Sequence, residues 1–188
     1  MKINFLSVKG TWRQVADSAR TTINKEAGEG NPSSNWIRRM LLCEHSPIRQ
    51  INIKWKWYDL PYWVSVHFVR HWLGIIHWVR TQRTDRTGVD RTDIGQGALV
   101  EHEAEANAQA IINISRKRLC NQASKETREA WEEFLESIKE IEPELYSVCV
   151  RDCLYRGWCY EYNSCNYHLT LKWAIELDEY RKNINKWV

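Results

Sequence analysis

The sequence predicts a single domain of the mixed α/β (α+β) class, in which a largely antiparallel sheet packs with several helices. The chain has 188 residues, 43% of them apolar and 27% charged, which is enough for one compact core and typical of a globular protein. Residues 51–57 alternate apolar and polar side chains, which predicts a strand with one buried face. Other segments place apolar side chains at helical spacing, and no repeat or linker divides the chain.

The first half of the chain is predicted to alternate helices with extended segments. One helix is expected over residues 12–25, before a turn at 28–32, and a second is expected to begin with Ser34 as its cap. After the strand, Asp59 and Pro61 predict a new helix, which ends near Gly74. Two further segments follow: an extended one over residues 75–80 and a polar loop over residues 84–97.

The second half of the chain is predicted to be mainly helical. Apolar spacing favours helices over about residues 100–118 and 124–140, with Ser124 near the start of the second, and a last helix over residues 169–186. The acidic residues around His102 fit the solvated start of the first of these helices, or alternatively a metal site. Trp55 and Trp57 are expected in the core or in a subunit interface rather than stacked on nucleic-acid bases.

Composition also narrows the class of protein. A net charge of +3 argues against a general nucleic-acid coat, so basic residues must act locally. No run approaches the ~18 apolar residues of a membrane span, and the first residues lack the apolar core of a signal peptide. We therefore expect a cytoplasmic protein, in which cysteines are free or bind metal rather than form disulfides.

The first candidate site is the segment from His67 to His71, which is followed by a group of arginines ending at Arg83. Arginine offers a rigid fork of donors for phosphate, and histidine can bind or carry a proton near neutral pH. The segment therefore suggests a pocket for a phosphorylated, ring-bearing molecule. The alternative is a surface helix end whose arginines pair with Asp85 and Asp90.

A second cluster of similar chemistry lies farther along the chain. Helical spacing places Asn113 near Arg116, and Arg118 one turn from Gln122, so these side chains could line a shared polar pocket. The alternative is a solvated helix face on which Glu126 offsets the arginines.

Short motifs of this chain, in their order and spacing, resemble those of the flavin-dependent thymidylate synthases, chiefly over residues 36–83 and 107–128. The family's early Ala-Arg-Val-Ser corresponds to residues 19–22, and its Thr/Ser-Pro-Phe-Glu-His segment to residues 46–50. Its helix ending in Gln-x-x-Arg-His-Arg corresponds to residues 67–72, and its Ser-x-Arg to residues 81–83 with one residue inserted. Its late Asn-x4-Arg-x3-His-Ala-x2-Glu pattern corresponds to Asn113, Arg118, Gln122, Ala123 and Glu126.

The resemblance implies a mixed α/β homotetramer whose sites lie between subunits and hold FAD, dUMP and a folate carbon donor. The implied reaction is reductive methylation of uracil C5, with methylenetetrahydrofolate supplying the carbon and reduced flavin the hydride. Arg83 and Arg118 are implied to act in catalysis by polarising the pyrimidine. The implied FAD contacts are Ser46, Arg70, His71, Asn113 and Gln122, and the implied dUMP contacts are His67, Thr81, Arg83 and Arg118.

This chain also departs from the family's motifs. Trp72 stands where the family has the last arginine of its helix-ending motif, and Arg49 stands where it has a glutamate. Two alternatives to the synthase therefore stay open: a non-catalytic nucleotide-binding protein on the same scaffold, and an enzyme that modifies another pyrimidine nucleotide.

Four cysteines within seventeen residues form the third candidate site: Cys149, Cys153, Cys159 and Cys165. Four thiolates could bind zinc or an iron–sulfur cluster, with His168 as a substitute ligand. The alternative is that they are merely buried or paired as disulfides. We expect residues 1–148 to form the thymidylate synthase-like α/β domain, with the Cys-rich segment and C-terminal helix of residues 149–188 packed on it.

Overall fold

A four-stranded antiparallel sheet organises the fold and confirms the predicted α/β class. The structure, a computed structural model, describes residues 2–185, and their side chains as far as residue 182. The strand order is β1-β2-β4-β3. The strands are β1 (Lys2–Lys9), β2 (Asn52–Pro61), β3 (Ile75–Val79) and β4 (Leu99–Asn107).

Nine α-helices accompany this sheet within the described residues. Several of them are single turns, and short 3₁₀ turns occur at residues 46–50, 91–93 and 167–169. None of the helices in the described part of the chain is long and apolar enough to cross a membrane. The helices are α1 (Trp12–Thr21), α2 (Ser34–Leu42), α3 (Tyr62–Val69), α4 (Thr84–Thr87), α5 (Ala108–Arg118), α6 (Lys125–Ile138), α7 (Pro143–Val148), α8 (Asp152–Tyr155) and α9 (Leu171–Asn185).

The two faces of the sheet differ in chemistry, as the alternation over residues 51–57 predicts. Trp55 and Trp57 lie on the inner face, fully buried, which confirms their predicted place in the core. The lysines between them lie on the outer face, where Lys54 pairs with Glu103 at 2.6 Å. Lys56 pairs in the same way with Glu101. The central strands β2 and β4 are therefore joined by backbone pairing and by cross-strand ion pairs.

Aromatic side chains fill the core between the sheet and the helices. The ring centroids of Trp55 and Phe134 are 4.0 Å apart, and those of Trp57 and Phe68 are 4.6 Å apart. Trp131 satisfies its ring N–H by donating to the Ser115 hydroxyl at 2.9 Å. Burial of each such ring stabilises the fold by roughly 1.5–3 kcal/mol, so this cluster holds α3, α5 and α6 on the sheet.

The helix predicted over residues 100–118 is wrong in its first half, which forms β4. Ala104 and Ala106 face the core and pair with β2, while the glutamates between them face outward. The helical spacing of the alanines favoured a helix, but pairing with β2 imposes a period of two. α5 begins only after Asn107, whose side chain accepts a hydrogen bond from the backbone N–H of Ala110. The same segment shows that His102 is a core residue and not part of a helix start.

Three further boundaries differ from the sequence prediction. β1 has no counterpart in the prediction, although it pairs with β2 along its length. The helix predicted from Asp59 begins only at Tyr62, because β2 continues through a bulge in which Asp59 has a φ of +55°. The N-cap of α2 is Ser33 rather than Ser34, and α1 ends at Thr21.

The remaining elements follow the prediction closely. β3 corresponds to the extended segment over residues 75–80, and α6 begins after its N-cap Ser124. The polar loop over residues 84–97 contains only α4 and one 3₁₀ turn. α9 corresponds to the last predicted helix, and residue 186 lies outside the described residues. Beyond Cys149 the chain adds a small separate cluster of buried side chains: Leu154, Trp173 and Leu177.

Candidate functional site

The C-terminal ends of α3 and α5 meet at a cluster formed by His67, His71 and Arg118. Arg118 donates from Nε to His71 Nε2 at 2.8 Å and from its terminal nitrogen to the His67 carbonyl at 2.6 Å. His67 lies in the last turn of α3, and His71 follows two residues after the helix ends at Val69. The two segments that the sequence singled out are thus in direct contact within one chain.

Arg118 brings a positive charge into this cluster without a carboxylate to balance it. It is partly buried, and no ion pair joins it to an acidic side chain in the part of the chain that the structure describes. Burial, and then the neighbouring charge of Arg70, lowers the pKa of Arg118, yet an arginine stays protonated in proteins. A half-buried cation of this kind is suited to bind an anion.

The histidines of the cluster are neutral at physiological pH. Burial, and then the charge of Arg118, lowers the pKa of His71 to about 4. The pKa of His67 is lowered for the same reasons, with a smaller effect from Arg70. The His67 ring is held at Nδ1 by the buried hydroxyl of Thr127, 2.9 Å away. The site therefore combines fixed positive charge with uncharged imidazoles.

Two more histidines lie directly behind the cluster. His77, on β3, contacts the carbonyl oxygen of His71 through Nε2 at 2.8 Å. Its Nδ1 lies 2.9 Å from Nε2 of His102, on β4. Sequence reasoning missed His77, although its place in an extended segment, with Ile75 on the same side, was the available signal.

Arg83 and Thr81 lie on an exposed segment and make only local contacts. Arg83 forms two hydrogen bonds with Asp85, at 2.9 and 2.8 Å, and its backbone N–H donates to the Thr81 hydroxyl at 3.2 Å. The predicted alternative, in which an arginine pairs with Asp85, therefore describes Arg83 in this chain. The other acid of that alternative, Asp90, instead accepts hydrogen bonds from Thr92.

Asn113 lies on a different face of α5 from Arg118. It accepts from Arg116 at 3.2 Å, which confirms their predicted proximity. Arg116 itself pairs with Glu44 and lies over the ring of Tyr155, with its guanidinium carbon 3.6 Å from the centroid. The two arginines of α5 thus have different partners, and they do not form one pocket within the chain.

The remaining predicted FAD contacts are also spread over the surface. The side chain of Gln122 donates to the backbone carbonyl of Asn163, in the Cys-rich segment, at 2.6 Å. Ser46 is exposed and begins the 3₁₀ turn at residues 46–50. Arg70 is the exposed C-cap of α3, next to the cluster.

The predicted set of four metal-binding cysteines is not supported. Cys149 is buried in the main core, and burial raises the pKa of its thiol to about 12. The other three line a small cavity of about 20 Å³ together with Cys120. All six cysteines are free thiols, and among residues 2–185 no group of three histidine, cysteine or acidic side chains could hold a metal ion.

A larger cavity lies elsewhere. Its volume is about 720 Å³, and it is bordered by α1, α2 and the connection between them. Ala19, Arg20 and Thr22, from the early motif, contribute to its wall, whereas no residue of the Arg118 cluster does. Volume alone therefore does not identify the site, and the chemistry concentrates at the ends of α3 and α5.

The fold is that of the flavin-dependent thymidylate synthases, as comparison with solved structures shows. A crystal structure of the enzyme ThyX from Helicobacter pylori, complexed with FAD and dUMP, aligns with a TM-score of 0.67 and 10% identity, over 80% of this chain and 100% of that one. A second structure of that enzyme with FAD and dUMP gives the same TM-score over 99% of its length. The UMP/dUMP methylase PolB from Streptomyces cacaoi, bound with 5-Br dUMP, aligns with a TM-score of 0.61 and 12% identity, over 78% of this chain and 93% of that one.

The likeness is visible in structure and not in overall sequence. No protein-family model matches the chain, and no curated protein matches it. The resemblance inferred from short motifs is thus confirmed by the fold, which is one used for nucleotide methylation in both kinds of neighbour.

Proposed function

We propose that this protein binds a pyrimidine nucleotide beside FAD and methylates uracil C5, as a divergent flavin-dependent thymidylate synthase-like enzyme. The observation that carries the proposal is the position of Arg118, between His67 and His71 and without a carboxylate partner in the described chain. The ThyX structures with the same fold are complexes with FAD and dUMP, which makes a nucleotide the expected anion.

The residue roles follow the resemblance. Arg118 and His67 contact the nucleotide, together with Thr81 and Arg83. Release of Arg83 from exposed Asp85 costs little, because an exposed ion pair is worth at most about 1 kcal/mol. The FAD contacts are Ser46, Arg70, His71, Asn113 and Gln122.

A site with these residues requires more than one copy of the chain. His67, His71 and Arg118 come together in one cluster within the described residues. Asn113 and Arg83 make their contacts elsewhere. Next to the cluster, the exposed apolar side chains of Trp72, Leu73, Ile76 and Trp78 form a surface suited to contact a second copy. We therefore propose a homotetramer with composite sites between subunits.

The chemistry assigned to this chain is electrostatic. Bound flavin supplies the hydride and methylenetetrahydrofolate the carbon, so the protein needs no strong nucleophile. Arg118 and Arg83 are assigned the role of polarising the pyrimidine carbonyls, which prepares the ring before C5 acts as the nucleophile. Neutral His71 donates a hydrogen bond without adding a second charge beside Arg118, and the apolar surroundings strengthen both interactions.

The departures from the family leave two other functions open, both of which also take a nucleotide as the ligand. Trp72 is 74% exposed beside His71, where it removes a positive charge and offers an aromatic ring. Both a methylase that accepts another pyrimidine nucleotide and a nucleotide-binding protein without activity are compatible with that change. The fold of PolB, described as a UMP/dUMP methylase, makes UMP the second nucleotide to test. Such a function belongs in the cytoplasm.

The proposal is tested by ligand binding to the purified protein. We expect flavin absorbance after incubation with FAD, and calorimetric binding of dUMP or UMP. Arg118→Gln is expected to weaken nucleotide binding at least tenfold, since a hydrogen bond to a charged group contributes about 1.5–3 kcal/mol. Conversion of dUMP with methylenetetrahydrofolate and reduced flavin then separates the enzyme from the inactive binding protein.

Arg118 also contacts the end of α3, so a loss of nucleotide binding must be separated from a loss of helix capping. Arg128→Gln removes an arginine from α6 outside the cluster and should leave nucleotide affinity unchanged. The proposal fails if wild-type protein binds neither nucleotide nor flavin, or if Arg118→Gln lowers only the free energy of unfolding.

A further inference from the structure

We propose that His77 and His102 are positioning residues, which hold His71 and Arg118 in the geometry that receives the nucleotide. The inference rests on the proposed function, because it concerns the same site. It assigns a role to two histidines of the sheet: His77, which contacts the His71 carbonyl, and His102, which contacts His77.

The direction of every hydrogen bond in this chain of histidines follows from its partners. The His71 carbonyl can only accept, so His77 must donate to it from Nε2. Burial lowers the pKa of His77, so the ring carries one proton and its Nδ1 is an acceptor. His102 must therefore donate from Nε2. A neutral His102 then has a bare Nδ1.

The bare Nδ1 of His102 is unusual, since it is buried without a hydrogen-bond partner in the described residues. The side chain is fully buried and lies against aromatic rings, with its centroid 5.3 Å from that of Trp57. An unsatisfied buried acceptor opposes folding, and an apolar residue at this position would avoid that cost. The presence of a histidine at position 102 is explained if its Nε2 is needed to hold the ring of His77 in place.

His77 in turn fixes the turn that follows α3. The last carbonyls of a helix have no partner within it, and here that of His67 accepts from Arg118. The carbonyl of His71, two residues beyond the end of α3, accepts from His77. The guanidinium of Arg118 can only donate hydrogen bonds, so the Nε2 of His71 must accept and carries no proton. The ring proton of His71 therefore lies on Nδ1. That Nδ1–H makes no hydrogen bond within the described chain and is free to donate to a ligand.

The tautomers are measured first, in the whole wild-type protein labelled with ¹⁵N-histidine. Long-range ¹⁵N–¹H correlation spectra distinguish the ring nitrogens directly. We expect Nδ1–H at His71, Nε2–H at His77 and Nε2–H at His102. An Nε2–H tautomer at His71 or an Nδ1–H tautomer at His77 overturns the inference, and this result needs no variant that folds.

Variants then test whether the chain of histidines affects binding. His77→Phe keeps an aromatic ring but removes both hydrogen bonds, and it should weaken dUMP binding three- to tenfold, as expected for one lost hydrogen bond. His77→Gln keeps an N–H donor and should restore most of the affinity. Ile75→Val destabilises the same strand by a comparable amount without touching His71, and should bind dUMP like the wild type.

The outcomes separate this inference from the proposed function. If wild-type protein binds dUMP and His77→Phe binds it equally well, the positioning role is wrong while the proposed function stands. If Ile75→Val weakens binding as much as His77→Phe, the effect is one of stability and the positioning role is again wrong. If wild-type protein binds neither dUMP nor FAD, the proposed function fails and the positioning role fails with it.

Discussion

Individual side chains decide the electrostatics of the candidate site. Arg118 is a half-buried cation held by two neutral acceptors, the His67 carbonyl and the His71 ring, so its charge is not cancelled within the described chain. Arg116, two residues earlier, is paired with Glu44 and stacked on Tyr155. Two neighbouring arginines of one helix thus differ in electrostatic environment, because only one of them meets a carboxylate.

The buried histidines predict a loss of stability in mild acid. Burial, and then the neighbouring His77, lowers the pKa of His102 to about 3, against about 6.5 in the unfolded chain. Above pH 6.5 both states are neutral and the stability is complete. As the pH falls from 6.5 toward 3, His102 binds a proton in the unfolded chain but stays neutral in the folded chain. The free energy of unfolding therefore decreases.

For His102 alone, the expected loss between pH 7.5 and pH 5 is about 2 kcal/mol. Urea unfolding at the two pH values measures it. His102→Phe should show a smaller difference between the two pH values than the wild type. An equal difference in both proteins contradicts the assignment of a neutral His102.

At the scale of elements, the boundaries that matter most depend on single backbone positions. α5 starts where Asn107 caps it, and this side chain lies against Gly74, in the turn between α3 and β3. Gly74 has a φ of +75°, and a Cβ there would lie 2.6 Å from the Asn107 amide nitrogen. The turn after α3 and the start of α5 therefore meet at one glycine.

Gly74→Ala is expected to destabilise the protein more than Gly88→Ala does. Both glycines have positive φ, so each alanine pays a backbone cost of roughly 1–2 kcal/mol, but nothing lies within 4 Å of a Cβ at Gly88. At Gly74 the added methyl displaces the capping side chain, which costs about a further 1 kcal/mol. Denaturant unfolding of the two variants measures the difference. Equal losses would show that Asn107 adapts without weakening the cap.

For the whole molecule, the proposed homotetramer is the property on which a complete site would depend. The predicted nucleotide and flavin contacts lie on several faces of one chain, while the apolar side chains of Trp72, Leu73, Ile76 and Trp78 are exposed near the cluster. A tetramer brings separate faces together and covers such a surface. The small buried cluster beyond Cys149 is separate from the main core, and the predicted division at residue 148 stays a prediction.

Native mass spectrometry should therefore show four copies of the 22.4 kDa chain. Trp72→Asp places a charge in the apolar surface and should shift the population to smaller species. Leu171→Asp is the matched control, since Leu171 is as exposed but lies on α9, and it should leave the assembly intact. Assembly that survives Trp72→Asp would show that this surface is not the interface.

Elements with a local signal could be predicted from the amino-acid sequence. Alternation over residues 51–57 indicated a buried strand face with Trp55 and Trp57, and the cap at Ser124 indicated the start of α6. The motifs around His67 and Arg118 indicated two segments of one candidate site. Such short motifs were readable although the chain is only 10% identical to a solved structure of the same fold.

The other features depend on strand pairing and burial between distant parts of the chain. Residues 99–107 form a strand because β2 and β3 pair with them on both sides, which overrides their helical spacing. Cys149 is separated from the other three cysteines of its run because it packs in the main core and they do not. The contacts from Arg118 to His71, and from His71 to His77 and His102, join residues up to 47 positions apart, and no local pattern records such distances.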